Sequence, residues 1–162
     1  MTWKEAFLRQ ANSDFSVFHE FQKSGREQCH QAHYLQMASE KLAKAYLCDP
    51  AGNPPQTTHN ALVPFLRSCM GRPEFRRFFG IADASAWNAY VRSILPLAEH
   101  VQKLAPEGKS LNRPNPEYPW HHSQTRQVCS PLDYPFSSLT RPTDPHVGKL
   151  LKFIDGLLKS GL

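Results

Sequence analysis

The stretch Gln36-Met37-Ala38-Ser39-Glu40-Lys41-Leu42-Ala43-Lys44-Ala45-Tyr46-Leu47 is an unbroken run of residues that tolerate or favour helix, and it decides the fold class. Ala, Met, Glu, Lys and Leu lose little side-chain freedom in a helix, and neither Gly nor Pro interrupts them. Extended backwards, the pattern begins near Glu27. Ala32, Leu35, Leu42 and Tyr46 then fall on one apolar stripe, while Glu40, Lys41 and Lys44 stand on or beside the opposite face. This spacing predicts an amphipathic helix of about six turns.

Upstream, Thr2-Trp3-Lys4-Glu5 has the form of a capping box, and Trp3, Phe7, Ala11, Phe15 and Phe18 recur every three or four residues until Gly25 stops the pattern. The short turn Lys23-Ser24-Gly25 predicts that the first two helices lie as an antiparallel hairpin. Downstream, Asp49-Pro50-Ala51-Gly52-Asn53-Pro54-Pro55 ends the second helix, and Thr57, Thr58 or Asn60 is placed to cap the next. Pro64 requires that helix either to begin close by or to bend. Arg72 to Phe79 reads as one short helix with Pro73 near its start. Asp83 caps a longer one whose apolar face comprises Trp87, Tyr90, Val91, Ile94, Leu95, Ala98, Val101 and Leu104, with a bend expected at Pro96.

From Pro106 to Pro145 the texture changes to eight prolines with aromatics beside them, as in Tyr118-Pro119-Trp120 and Tyr134-Pro135-Phe136. Regular helix is not expected there, nor is strand alternation visible. The rings predict an extended arm anchored on the helical core. A last helix starts near Pro145 behind Asp144 and carries Val147, Leu150, Leu151, Ile154, Leu157 and Leu158 on one face. The fold expected is therefore all-α: an up-and-down bundle of about five helices over residues 1–105, an arm over 106–145 packed on it, and a C-terminal helix over 146–162, all in one domain.

At 162 residues the chain can bury about 70% of its unfolded surface, enough for a core without crosslinks. Cys29, Cys48, Cys69 and Cys129 show no zinc or redox spacing, which points to a reduced, intracellular protein. With no apolar leader behind Met1 and no run of membrane length, a soluble cytoplasmic protein without membrane contact is expected. The net charge of +5 favours polyanionic partners only weakly.

The ordered combination Gln36-x-Ala38-x-Glu40-Lys41-x-x-Lys44-Ala45, followed by Thr58-His59-Asn60-Ala61-Leu62, resembles the central signature of the HEPN superfamily of small helical domains, over about residues 1 to 105. The resemblance implies an RNA- or nucleotide-associated protein of a toxin–antitoxin or defence system, a homodimer, and a nucleotidyltransferase antitoxin as partner. It makes Lys41, Lys44 and His59 candidate contacts for RNA or a nucleotide. Many members are metal-independent ribonucleases built on Arg-x(4–6)-His, in which arginine stabilises phosphate charge and histidine moves the 2′-OH proton.

Ten arginines and eight histidines at three permitted spacings give between one and two such pairs by chance, and two occur: Arg26 with His33, and Arg141 with His146. Arg26 and His33 are the catalytic candidates. The family often has a basic residue before the Tyr-Pro that follows its long later helix, whereas this chain has Glu117. Against a functional reading of Glu40 and Lys44 stands their spacing, since an i,i+4 Glu–Lys pair stabilises any exposed helix by a few tenths of a kcal/mol.

Arg72, Arg76 and Arg77, interleaved with Phe75, Phe78 and Phe79, could contact a phosphate backbone with rings stacking nearby, or simply stand in solvent above buried phenylalanines. His121, His122 and Cys129, or Cys29, His30 and His33, lack a matching second set of ligands, so no metal is expected. No cofactor motif occurs. Two further functions stay open beside RNA or nucleotide association: a non-catalytic interaction or dimerisation module docking through the last helix and the arm, and a weak metal-independent endoribonuclease.

Overall fold

In the computed structural model, which describes residues 1–55, 59–106 and 113–160, the capping box forms at Thr2. Thr2 Oγ1 accepts from the Glu5 N–H at 3.2 Å, and Glu5 Oε2 accepts from the Thr2 N–H at 2.7 Å. Helix α1 (Trp3–Ser24) ends at Gly25, whose φ of 67° lets the Arg26 N–H turn back to the Phe21 carbonyl at 3.0 Å. Helix α2 (Gln28–Tyr46) then returns antiparallel. Phe21 meets Tyr34, Asp14 pairs with Lys41, and the Lys4 ammonium lies 5.1 Å from the Tyr46 ring centre, so contacts climb one helix as they descend the other.

One expectation fails on α2. Glu40 does not stand on a solvent face, and Gln31, Gln36 and Ser39 are buried with it. The reason is position: α2 is touched by α1, by α3 (Leu62–Cys69), α5 (Ala84–Gln102), α6 (Ser137–Thr140) and α7 (Pro145–Ser160), and by the arm. A helix covered on several sides keeps polar side chains inside only where each finds a partner.

Thr57 and Thr58, two of the expected caps for α3, lie outside the described residues. Asn60 does not cap it; Ala61 holds that position without a side-chain bond. Gln102 Oε1, from the end of α5, instead accepts the Val63 N–H at 3.0 Å. Pro64 falls in the first turn, where a missing N–H costs nothing. Helix α4 (Pro73–Phe78) is the short helix expected, and α5 is capped by Asp83, whose Oδ1 accepts the Ala86 N–H at 2.7 Å. Helix α5 continues through Pro96 to Gln102.

Helix α7 carries its cap too, with Asp144 Oδ1 accepting the His146 N–H at 2.8 Å. Its apolar face is not left for a partner. Val147, Leu150, Leu151, Phe153, Ile154 and Leu157 are all buried against the chain's own helices. At about 1.5–3 kcal/mol per buried side chain, that face is a major contribution to folding.

The arm is anchored as its composition suggests, by Trp120 and Phe136, which are 3% and 1% exposed. Tyr134 bridges them edge-on, at 5.3 Å from Trp120 and 4.8 Å from Phe136. It is more regular than expected. Trp120–His121 (β1) and Val128–Cys129 (β2) pair antiparallel with Trp120 opposite Cys129, a 3-10 turn spans Pro131–Asp133, and α6 adds one helical turn. Segments this short have no stability of their own. Burial of Phe136 and Leu139 holds α6, and Ser130 Oγ caps the 3-10 turn by accepting the Leu132 N–H at 3.2 Å. Residues 107–112 of the arm lie outside the described residues.

All four cysteines are free. Burial pushes the Cys69 thiol up to about 12 and raises Cys29 and Cys48 as well. Alkylation of the native protein at pH 8, followed by peptide mass spectrometry, should therefore modify Cys129 first and Cys69 last. The Cys69 rate should fall on the order of a thousandfold below that of an ordinary thiol.

Candidate functional site

Glu40 lies mid-helix in α2 and is 8% exposed. Gln36, one turn before it, donates from Nε2 to Glu40 Oε2 at 2.7 Å, and Lys44, one turn after, places Nζ 2.7 Å from Oε1. The loop before α3 brings His59 Nδ1 to 3.0 Å from Oε2. Burial alone would raise the Glu40 pKa, but the hydrogen bonds from Lys44, His59 and Gln36 outweigh it and hold the carboxyl below its usual range. An ionised carboxylate only accepts, so Nδ1 of His59 carries a proton. The site is a buried anion ringed by donors, with the imidazole half-exposed at its mouth.

A second pair begins at the next residue of α2. Lys41 Nζ binds Asp14 Oδ2 from α1, and Gln10 Nε2 donates to Asp14 Oδ1 at 3.1 Å. Both lysines of the signature are thus engaged by internal carboxylates, joining α1, α2 and the α2–α3 loop.

The other candidates are dispersed. Arg26 is exposed in the α1–α2 turn, in a shallow hollow with Phe21, Glu27, His30 and Tyr34. His33 faces elsewhere, its Nδ1 3.1 Å from Glu117 Oε1 but out of line for a hydrogen bond. Glu117, the acid before Tyr118-Pro119, therefore meets the candidate histidine itself. Arg141 is exposed after α6, and His146 Nδ1 lies 3.1 Å from the Ser93 carbonyl on α5. Among the described residues no group of three or more His, Cys, Asp or Glu side chains is arranged to hold a metal ion, and no helix is long and apolar enough to cross a membrane.

On α4, Phe75 is buried, and Phe79 just after it packs inward, its ring stacked 5.3 Å from Phe153. Phe78 is 42% exposed. Arg72 stacks 4.4 Å from the Phe75 ring centre and donates from Nε to Glu74 Oε1 at 2.8 Å. Arg76 and Arg77 line a shallow surface hollow with Gly80, Ile81 and Ala82.

One cleft escaped the sequence reading altogether. About 280 Å³ in volume, it is walled by His100, Lys103 and Leu104 at the end of α5, Arg113 and Pro114 of the arm, and Tyr134, Pro135, Phe136, Ser138 and Leu139 around α6. Arg113 Nη2 donates to the Ala105 carbonyl at 2.9 Å, tying the arm to the end of α5. No local spacing joins residues 100, 113 and 134; only the path of the arm does. Set beside protein-family models, curated proteins and solved structures, the chain matches none of them.

Proposed function

We propose that the chain is a HEPN-like, RNA-associated protein that binds rather than cuts, and that it binds through α4. The observation carrying this reading is Phe78, a ring left 42% exposed on the same short helix as Arg76 and Arg77, which line a surface hollow. A half-exposed ring beside two guanidinium groups suits a single strand, in which bases stack and phosphates pair. The internal pairing of Lys41 and Lys44 argues against the signature lysines as the main phosphate contacts, and the engagement of His33 by Glu117 argues against cleavage. A homodimer and a nucleotidyltransferase antitoxin belong to the same proposal.

Titrating a fluorescent single-stranded RNA at several salt concentrations tests it. Two neutralised phosphates should give a log–log slope of about −1.4, and the double substitution Arg76→Ala/Arg77→Ala should flatten it. Phe78→Ala should weaken binding by about 1–3 kcal/mol without changing the slope. A salt-independent affinity, or unchanged binding in these variants, removes the proposal. The RNA should emerge intact; cleavage abolished by both Arg26→Ala and His33→Ala would favour the endoribonuclease instead.

The interaction-module alternative now rests on the arm alone, because α7 buries its apolar face. Tyr118, Val128 and Leu132 are 55%, 70% and 65% exposed there. A concentration-dependent mass in light scattering that reverts in Val128→Ser/Leu132→Ser would favour that reading.

A further inference from the structure

We infer that His59 is a phosphoryl-accepting histidine, which takes the group on Nε2 from a donor whose phosphorus is bound to nitrogen. Its ring is fixed from behind. Nδ1 lies 3.0 Å from Glu40 Oε2, and Gln36 and Lys44 in turn fix that carboxylate, each at 2.7 Å from one of its oxygens. With Nδ1 carrying the proton, the lone pair stands on Nε2. The His59 side chain is 40% exposed while Glu40 is buried, so the imidazole is backed by an interior anion and still reached from solvent. Other histidines lack this backing. His30 stands 4.0 Å from Glu27 Oε2, beyond hydrogen-bond reach, and His33 lies out of line with Glu117. His121 and His146 turn Nδ1 to the backbone carbonyls of Arg126 and Ser93, at 3.2 Å and 3.1 Å.

The reaction makes use of that backing. Nε2 attacks phosphorus, the P–N bond of the donor breaks, and the donor nitrogen leaves with the bonding pair. Nδ1 keeps its hydrogen, so the phosphorylated ring acquires a positive charge within hydrogen-bond distance of Glu40 Oε2. A charge that develops beside an anion already in place needs no rearrangement to be stabilised, which lowers the barrier as well as favouring the product. A carbonyl dipole, as at His121 and His146, supplies less. The bond formed and the bond broken are both P–N, so the transfer asks for no further driving force. The inference is independent of RNA binding at α4 and stands or falls without it.

Incubating the full chain with phosphoramidate and following each histidine by peptide mass spectrometry tests the inference. His121 and His146 are internal references, because both are more exposed than His59 and share its expected tautomer. His59 should nevertheless react about tenfold faster than either, and the difference should vanish in urea. Phosphorus NMR should place the group on Nε2. Glu40→Gln, its fold checked by circular dichroism, keeps an oxygen for Nδ1 but removes the charge, and should bring His59 down to the rate of His121. If that variant does not fold, the comparison within the native chain decides alone. A rate at His59 no higher than at the references, a group on Nδ1, or an unchanged rate in folded Glu40→Gln would each overturn the assignment.

Discussion

Replacing Phe153 by alanine is expected to cost about 4 kcal/mol of stability and to lower the melting temperature by roughly 8–16 °C in a domain of this size. Phe153 is fully buried on α7, and its ring stands 5.3 Å from Phe79, 6.4 Å from Trp87 and 6.2 Å from Phe65. It therefore joins α4, α5 and α3 to the last helix at one point. The hole left by alanine cannot close easily. Phe79 is also held against Gly156, where even a Cβ would come within 2.9 Å of its ring, and Trp87 is fixed by its indole N–H on the Cys69 carbonyl at 2.8 Å. Chemical denaturation should show a lower midpoint at an unchanged slope. A loss under 1 kcal/mol would mean that α7 does not pack as described.

Glu40→Ala should destabilise by about 3 kcal/mol, because it leaves the Lys44 ammonium without its carboxylate and the Gln36 amide without an acceptor inside the bundle. Lys44 is still 17% exposed in its side chain and His59 40%, so water relieves part of the loss and sets the figure toward the lower end for a broken buried pair. Glu40→Met combined with Lys44→Met should recover much of it, since removing both charges also removes their desolvation cost. The pH dependence follows from the same carboxylate. Its folded pKa lies below its unfolded value, so the unfolded chain takes up the proton first as pH falls. The stabilisation is complete above about pH 4.3 and vanishes as pH drops through the folded pKa. Denaturation midpoints from pH 7 to pH 3 should fall more steeply for the native chain than for the Glu40→Met/Lys44→Met variant; parallel curves would show that Glu40 is not ionised in the bundle.

The helices were legible because their ends are written locally: Thr2 with Glu5, Gly25, Asp83 and Asp144 all cap as their types predict. The apolar face of α7 was legible from its spacing, but not its destination. Burial of Glu40 was hidden because the same i,i+4 pair with Lys44 suits open solvent equally well, and only the neighbours crowding α2 decide between the two. His59 was picked out by its place beside the signature helix, and its partner on Glu40 lies 19 positions away, beyond any local pattern. The start of α3 was misjudged for the same reason, since its donor is satisfied by Gln102 on a different helix. Distant groups that meet only through the route of the arm, such as Lys103, Arg113 and Tyr134, leave no periodic trace.

The seating of α7 also constrains how the chain is made. Its greasy side closes over helices that leave the ribosome earlier, and residues 103 to 160 take about 3–12 s to synthesise at ordinary elongation rates. For those seconds the surfaces around Phe65, Phe79 and Trp87 stand open to water and to other nascent chains. A cell short of holding chaperones should lose this protein to aggregates during translation, well before any weakness shows in the finished molecule.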